Sequence, residues 1–262
     1  MRPLLAALLM LLSLAPAGAA EPDVQSVVAK LRAAVEPAKP GVRRMTLTHT
    51  ERGAVTQVTL GEARKAIAGK RRILLVTLAP ANAAGTAYLV EEGGPGAITQ
   101  WFYVPYVRRV RKLVSPEAYS AFLNSDFTYA DLGFVDTGAT YTLLDEGTQD
   151  GRKTYRVEGV PRERWYYARW VTTLDAETGM PLVRELYDSA NQLWKRQRFE
   201  HTTVVDGVAL PSGVSMEDLQ AKSRTEIRMT GADYDVEVPD ALFDPATLPD
   251  ASSAPVWAGV GQ

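Results

Sequence analysis

The chain has 262 residues, no cysteine, two histidines, and 29 basic against 31 acidic side chains, a formal charge of −2. The missing cysteines exclude disulfides, iron–sulfur clusters and zinc–thiolate sites, and a chain of this length buries enough core to fold without them. The near-neutral balance argues against broad nucleic-acid binding.

Arg2, the apolar run from Leu4 to Leu14 broken only by Ser13, and the small residues Pro16-Ala17-Gly18-Ala19-Ala20 have the layout of a secretory signal peptide. The run is too short to span a bilayer as a helix. Cleavage is expected near Ala19 or Ala20, and with no cysteine behind the run, lipid attachment is not expected. Residues 1–20 are therefore set apart as a signal peptide, 21–249 as one domain, and 250–262 as a flexible tail.

From Asp23 to Glu36 the spacing predicts an amphipathic helix, with Val24, Val27, Val28, Leu31 and Val35 on one face. Pro37 and Pro40 end it. Short Val-, Thr-, Leu- and Tyr-rich runs bounded by Gly, Pro or Asn then predict strands over 42–50, 54–60, 71–78, 85–91 and 98–103. Further strands are predicted over 141–145, 154–160, 166–175, 182–188, 193–205 and 224–230. Ser115-Pro116-Glu117 is a helix start, and that short helix would carry Tyr119, Phe122 and Leu123. There is no βαβ alternation, so the pattern predicts one large curved antiparallel sheet with few helices.

His49 and His201 stand in no metal-ligand spacing, and no nucleophile elbow or phosphate loop is present. Asp126 and Asp131 are close enough in sequence to be considered as a hydrolytic pair. Acids in loops more often cap or pair, and no catalytic residue, cofactor or metal is expected. Several strands alternate apolar and charged residues, so one sheet face must be covered or used. An uncovered part would be an apolar groove suited to an acyl chain.

Residues 101–132 carry the most specific pattern: an aromatic strand with Pro105, then Arg108-Arg109-Val110-Arg111-Lys112, then Ser125-Asp126-Phe127-Thr128-Tyr129-Ala130-Asp131-Leu132. With Trp170…Leu174-Asp175…Thr178-Gly179…Pro181 and Val238-Pro239-Asp240…Phe243-Asp244-Pro245, the order resembles the LolA-like outer-membrane lipoprotein-sorting proteins over most of 24–248. The resemblance implies an unclosed half β-barrel with helices over an apolar concave face. It also implies a periplasmic carrier that takes a lipoprotein or lipid from an inner-membrane ABC or RND exporter to an outer-membrane acceptor. A monomer in transient membrane contact, with no nucleic-acid partner, is expected. The alternative is a periplasmic sensor or adaptor similar to RseB that binds a membrane regulator; a hydrolase comes third.

On this reading Trp101, Tyr103, Tyr106, Tyr119, Phe122, Phe127, Tyr129 and Trp170 are the candidates for lining the cavity or lid. Arg108, Arg109, Arg111 and Lys112 are candidates for meeting an anionic headgroup or partner, or for pairing with Asp126 and Asp131 as a latch.

Overall fold

A computed structural model describes residues 22–94, 97–113, 121–128, 131–132 and 138–261. The signal-peptide assignment, the helix start at Ser115, Tyr119 and Tyr129 lie outside the described residues.

The chain opens on α1 (Val24–Val35), whose first turn is capped by the Asp23 carboxylate accepting from the Ser26 amide at 3.3 Å. Its face bearing Val27 and Val28 is buried, as the helical spacing requires. Fifteen strands follow: β1 (Gly41–Glu51), β2 (Ala54–Ile67), β3 (Lys70–Ala79), β4 (Ala87–Glu92), β5 (Ile98–Val104), β6 (Arg109–Lys112), β7 (Thr140–Gln149), β8 (Arg152–Val160), β9 (Arg169–Asp175), β10 (Pro181–Tyr187), β11 (Leu193–Phe199), β12 (Thr202–Val205), β13 (Val208–Pro211), β14 (Gly213–Asp218) and β15 (Ser223–Asp233). The long run predicted over 193–205 is divided between β11 and β12, and β13 and β14 were not foreseen.

Thirteen strands form one sheet in the order β6-β5-β4-β3-β2-β1-β15-β14-β11-β10-β9-β8-β7, and β12 with β13 makes a separate hairpin. The pairings are antiparallel, and β6 and β7 end the sheet without meeting. The result is a large, curved, unclosed sheet with few helices, as the residue pattern predicts. No described helix is long and apolar enough to cross a membrane.

Strand alternation sorts the core into two layers. Met45, Leu47, Leu60, Ile73, Leu75, Tyr88, Val90, Trp170, Leu186, Met216 and Ile227 point to the concave face, where Phe122, Phe127 and Leu132 pack on them, while α1 packs on Val157 and Leu174. Val42, Ala63, Leu74, Val76, Ala87, Leu89 and Tyr103 point to the opposite face. There they meet Val238, Leu242, Phe243, Leu248, Ala251, Trp257 and Val260 from the C-terminal segment.

That second layer corrects the expectation of a flexible tail from 250. Residues Pro245–Ser253 and Pro255–Trp257 form 3₁₀ turns, and Trp257 and Val260 are buried. The Trp257 indole lies over Gly61, where an added Cβ would stand 2.9 Å from the ring, and its N–H donates to the Ala251 carbonyl at 2.8 Å. The Arg44 guanidinium donates to the carbonyls of Val260 at 2.7 Å and Trp257 at 2.9 Å. The tail is a strap, fastened at both ends.

Candidate functional site

The concave face is closed over its middle by a lid, Ala121–Thr128, followed by Asp131 and Leu132. Ala121 bridges Thr128, and the Phe122 amide donates to the Phe127 carbonyl at 2.8 Å, so the segment is a tight hairpin. Its tip, Leu123 and Asn124, has φ of +49° and +56°, both in the left-handed region. This corrects the expected helix through Phe122 and Leu123: only the single 3₁₀ turn Phe122–Asn124 forms there. The hairpin points Phe122 and Phe127 down into the sheet, and both are fully buried with Leu132 close behind.

Polar bonds hold the lid down at two places. The Asp126 carboxylate accepts from the hydroxyls of Ser223 and, at 2.7 Å, Thr225, with His49 Nδ1 at 3.4 Å. Beside it the buried Lys195 ammonium donates to the Asp126 carbonyl at 2.6 Å. Register explains the convergence: His49 of β1 lies opposite Thr225 of β15, and both side chains are on the concave face. Asp131 accepts from the Thr128 amide and hydroxyl at 2.8 Å each and from the Tyr167 hydroxyl at 3.0 Å. Burial, with Asp131 next in weight, pushes the Tyr167 hydroxyl well above its ordinary pKa, so it stays a donor. Tyr166 is pushed up to about 12 by burial and then by Asp131 and Asp218.

The Asp126 and Asp131 carboxylates thus accept from hydroxyls, Tyr167 among them, while Lys195 bonds the Asp126 carbonyl. Among the described residues no ion pair joins either aspartate to Arg108, Arg109 or Lys112. Arg108, Arg109, Arg111 and Lys112 are exposed on the far edge of the sheet.

Under the lid a cavity with a free volume of about 70 Å³ is walled by Met45, Leu60, Leu75, Phe127, Ile227 and Met229 among others. Its rim at the end of α1 is ionic. Glu62, buried opposite its register partner Arg43, accepts from the Arg43 Nε at 2.9 Å and from the guanidinium of Arg64. Burial alone would raise the Glu62 pKa, but Arg43 and Arg64 outweigh it and hold the carboxyl at about 2. Arg64 also donates to the Val35 carbonyl at 3.2 Å, tying the helix end to the rim.

The sequence-selected aromatics divide between surfaces. Phe122 and Phe127 are in the lid, and Trp170 lies on the concave face, edge-on to Tyr141 at 6.4 Å. Trp101 and Tyr103 are corrected: they face the C-terminal strap, and Phe102 is the member of that triplet on the concave side. Tyr106 is corrected too, standing 96% exposed at a hairpin tip. Lys195, Ser223, Thr225, Tyr167 and the Arg43–Glu62–Arg64 cluster were missed, because each is polar and joins the site from a strand, or for Tyr167 the bend before β9, distant in sequence. The alternation in β15, with Thr225 and Ile227 on one face, was the one available signal.

Both lid carboxylates are occupied by structural donors, and among the described residues no group of three or more His, Asp or Glu side chains is placed to bind a metal ion. A family model whose description reads "-like: Uncharacterized protein" matches residues 69–250, more than half of the chain. The chain belongs to that family. No curated protein matches it.

Solved structures share the fold. A DUF1329 family protein from Desulfovibrio piger is 23% identical, with a TM-score of 0.79 over 86% of this chain and 98% of its own. A putative outer membrane lipoprotein-sorting protein domain from Vibrio parahaemolyticus is 21% identical, with a TM-score of 0.79 over 86% and 97%. A LolA superfamily protein from Nitrosomonas europaea is 18% identical, with a TM-score of 0.68 over 84% and 97%. At these identities the likeness establishes the fold this family member shares with them.

Proposed function

We propose that the protein is a periplasmic, non-enzymatic carrier that takes the acyl chains of a lipoprotein or lipid beneath the lid. One observation carries this reading: an apolar concave face is capped by a hairpin that polar bonds, rather than chain connectivity, hold closed. The cavity of about 70 Å³ is small for an acyl chain, so cargo enters as Phe127 and Leu132, which line it, give way. Each methylene that then leaves water returns about 0.8 kcal/mol, and ten would offset several broken hydrogen bonds. The secretory layout of residues 1–20 supports export, and the fold's likeness to a lipoprotein-sorting domain supports the choice of cargo. The supplier would be an inner-membrane ABC or RND exporter and the acceptor the outer membrane.

The same small volume favours a second reading, an adaptor for a membrane regulator. If the lid is permanent core, one surface open to a partner is the outer edge of β7, exposed over most of its length at one end of the sheet. An extended segment could add there as a further strand.

Native mass spectrometry of gently purified protein separates the two. The carrier reading predicts a bound lipid mass, and displacement of a fluorescent fatty-acid probe by lipid extract. A clean apo mass with no probe binding would contradict it, and recovery of a membrane regulator from solubilised membranes would then establish the adaptor.

A further inference from the structure

The β5–β6 hairpin ends in Val104-Pro105-Tyr106-Val107-Arg108-Arg109, away from the lid latch. Tyr106 is 96% exposed and Val107 54%, and among the described residues Tyr106 is the one exposed aromatic. The exposure is built in. The amides of Val107 and Arg108 donate to the Val104 carbonyl at 3.0 and 3.1 Å, and Arg108 takes a φ of +52° to complete the turn. Pro105 is braced against Gly85, where an added Cβ would stand 3.0 Å from the proline ring. A rigid turn thus holds an aromatic and an aliphatic side chain in water.

Arg108 and Arg109 flank them at the turn and Lys112 stands three residues farther along β6, all exposed and none in an ion pair with another described residue. The sequence from Gly93 to Ser125 contains a single acid, Glu117, in a chain whose formal charge is −2 overall. The hairpin's own sequence is therefore positively charged. Tyrosine, with an apolar ring and a polar hydroxyl, suits the boundary between headgroups and acyl chains, and flanking cations suit anionic headgroups. One turn offers far less than the roughly 1,000 Å² that a stable protein interface buries, whereas a bilayer needs only the few residues that enter it.

We propose that the β5–β6 tip docks the protein on an anionic membrane surface, with Tyr106 and Val107 in the interface and Arg108, Arg109 and Lys112 on the headgroups. This contact is separate from the cavity and is read without cargo.

Because the chain has no cysteine, Tyr106→Cys carries an environment-sensitive dye at one position, with Val204→Cys, 65% exposed on β12, as the control. Vesicles of phosphatidylcholine with phosphatidylglycerol should shift the dye at 106 and leave the control unchanged, and vesicles of phosphatidylcholine alone should do so weakly. In sedimentation with the unlabelled chain, Arg108→Gln, Arg109→Gln and Lys112→Gln should each weaken binding on the order of fivefold at low salt. Tyr106→Ser should weaken it at any salt, and the melting temperature should not move. Equal dye shifts at both positions, or vesicle binding unchanged by these substitutions, would overturn the proposal. So would binding of polyglutamate with no vesicle response, which would assign the tip to an acidic protein surface.

Discussion

Replacing Glu62 with Gln is expected to cost the folded state about 3–5 kcal/mol at neutral pH, the usual result of removing one member of a buried ion cluster. Glu62 is the shared acceptor of Arg43 and Arg64, and its loss removes the carboxylate that the two guanidinium groups share at the cavity rim. The pH dependence has a defined sign. The folded pKa of about 2 lies below the ordinary 4.5, so the stabilisation is complete above pH 4.5 and is lost as pH falls toward 2. Urea midpoints of the wild type should drop through that window, and the part due to Glu62 should vanish in Glu62→Gln. Midpoints that coincide for the two proteins at pH 7 would refute the cluster's role.

Trp257→Ala is expected to cost a similar 3–5 kcal/mol, because a buried indole and its hydrogen bond are lost together. At roughly 2–4 °C per kcal/mol for a domain of this size, the melting temperature registers it clearly. Gly61→Val should destabilise through the same contact from the other side, since its side chain would occupy the indole's place. Residues that share one contact do not add. The double variant should therefore lose less than the sum of the single losses. Additive losses would mean that the strap does not depend on this seat.

The fold was legible where local rules decide it. α1 follows from helical spacing, and most strands follow from short apolar runs between turn residues. The second layer was legible only indirectly. Ile73–Val76 and Ala87–Val90 are uninterrupted apolar runs, the mark of strands covered on both faces. Their cover is a Pro- and Ala-rich segment in 3₁₀ turns, without the period that marks an α-helix or a strand. It therefore looked like a tail. Alternation correctly sent Trp101 and Tyr103 to one side and Phe102 to the other, but it carries no information on which side is concave. The latch was half legible. Asp126 was singled out, yet its partners Ser223 and Thr225 lie nearly a hundred residues away in sequence, and nothing local singles them out over the nearer arginines.

The central claim is that the lid opens to admit an acyl chain, and titration of a fluorescent fatty-acid probe into wild type and Asp126→Asn tests it most directly. The substitution removes the charge from bonds to Ser223 and Thr225 but spares the Lys195 contact with the Asp126 carbonyl. A closed lid reduces apparent affinity by the fraction of time it is open. Charge-assisted bonds are worth about 1.5–3 kcal/mol, so the variant should melt lower and bind the probe roughly tenfold tighter. A variant that melts lower while binding the probe no better than the wild type would contradict the account.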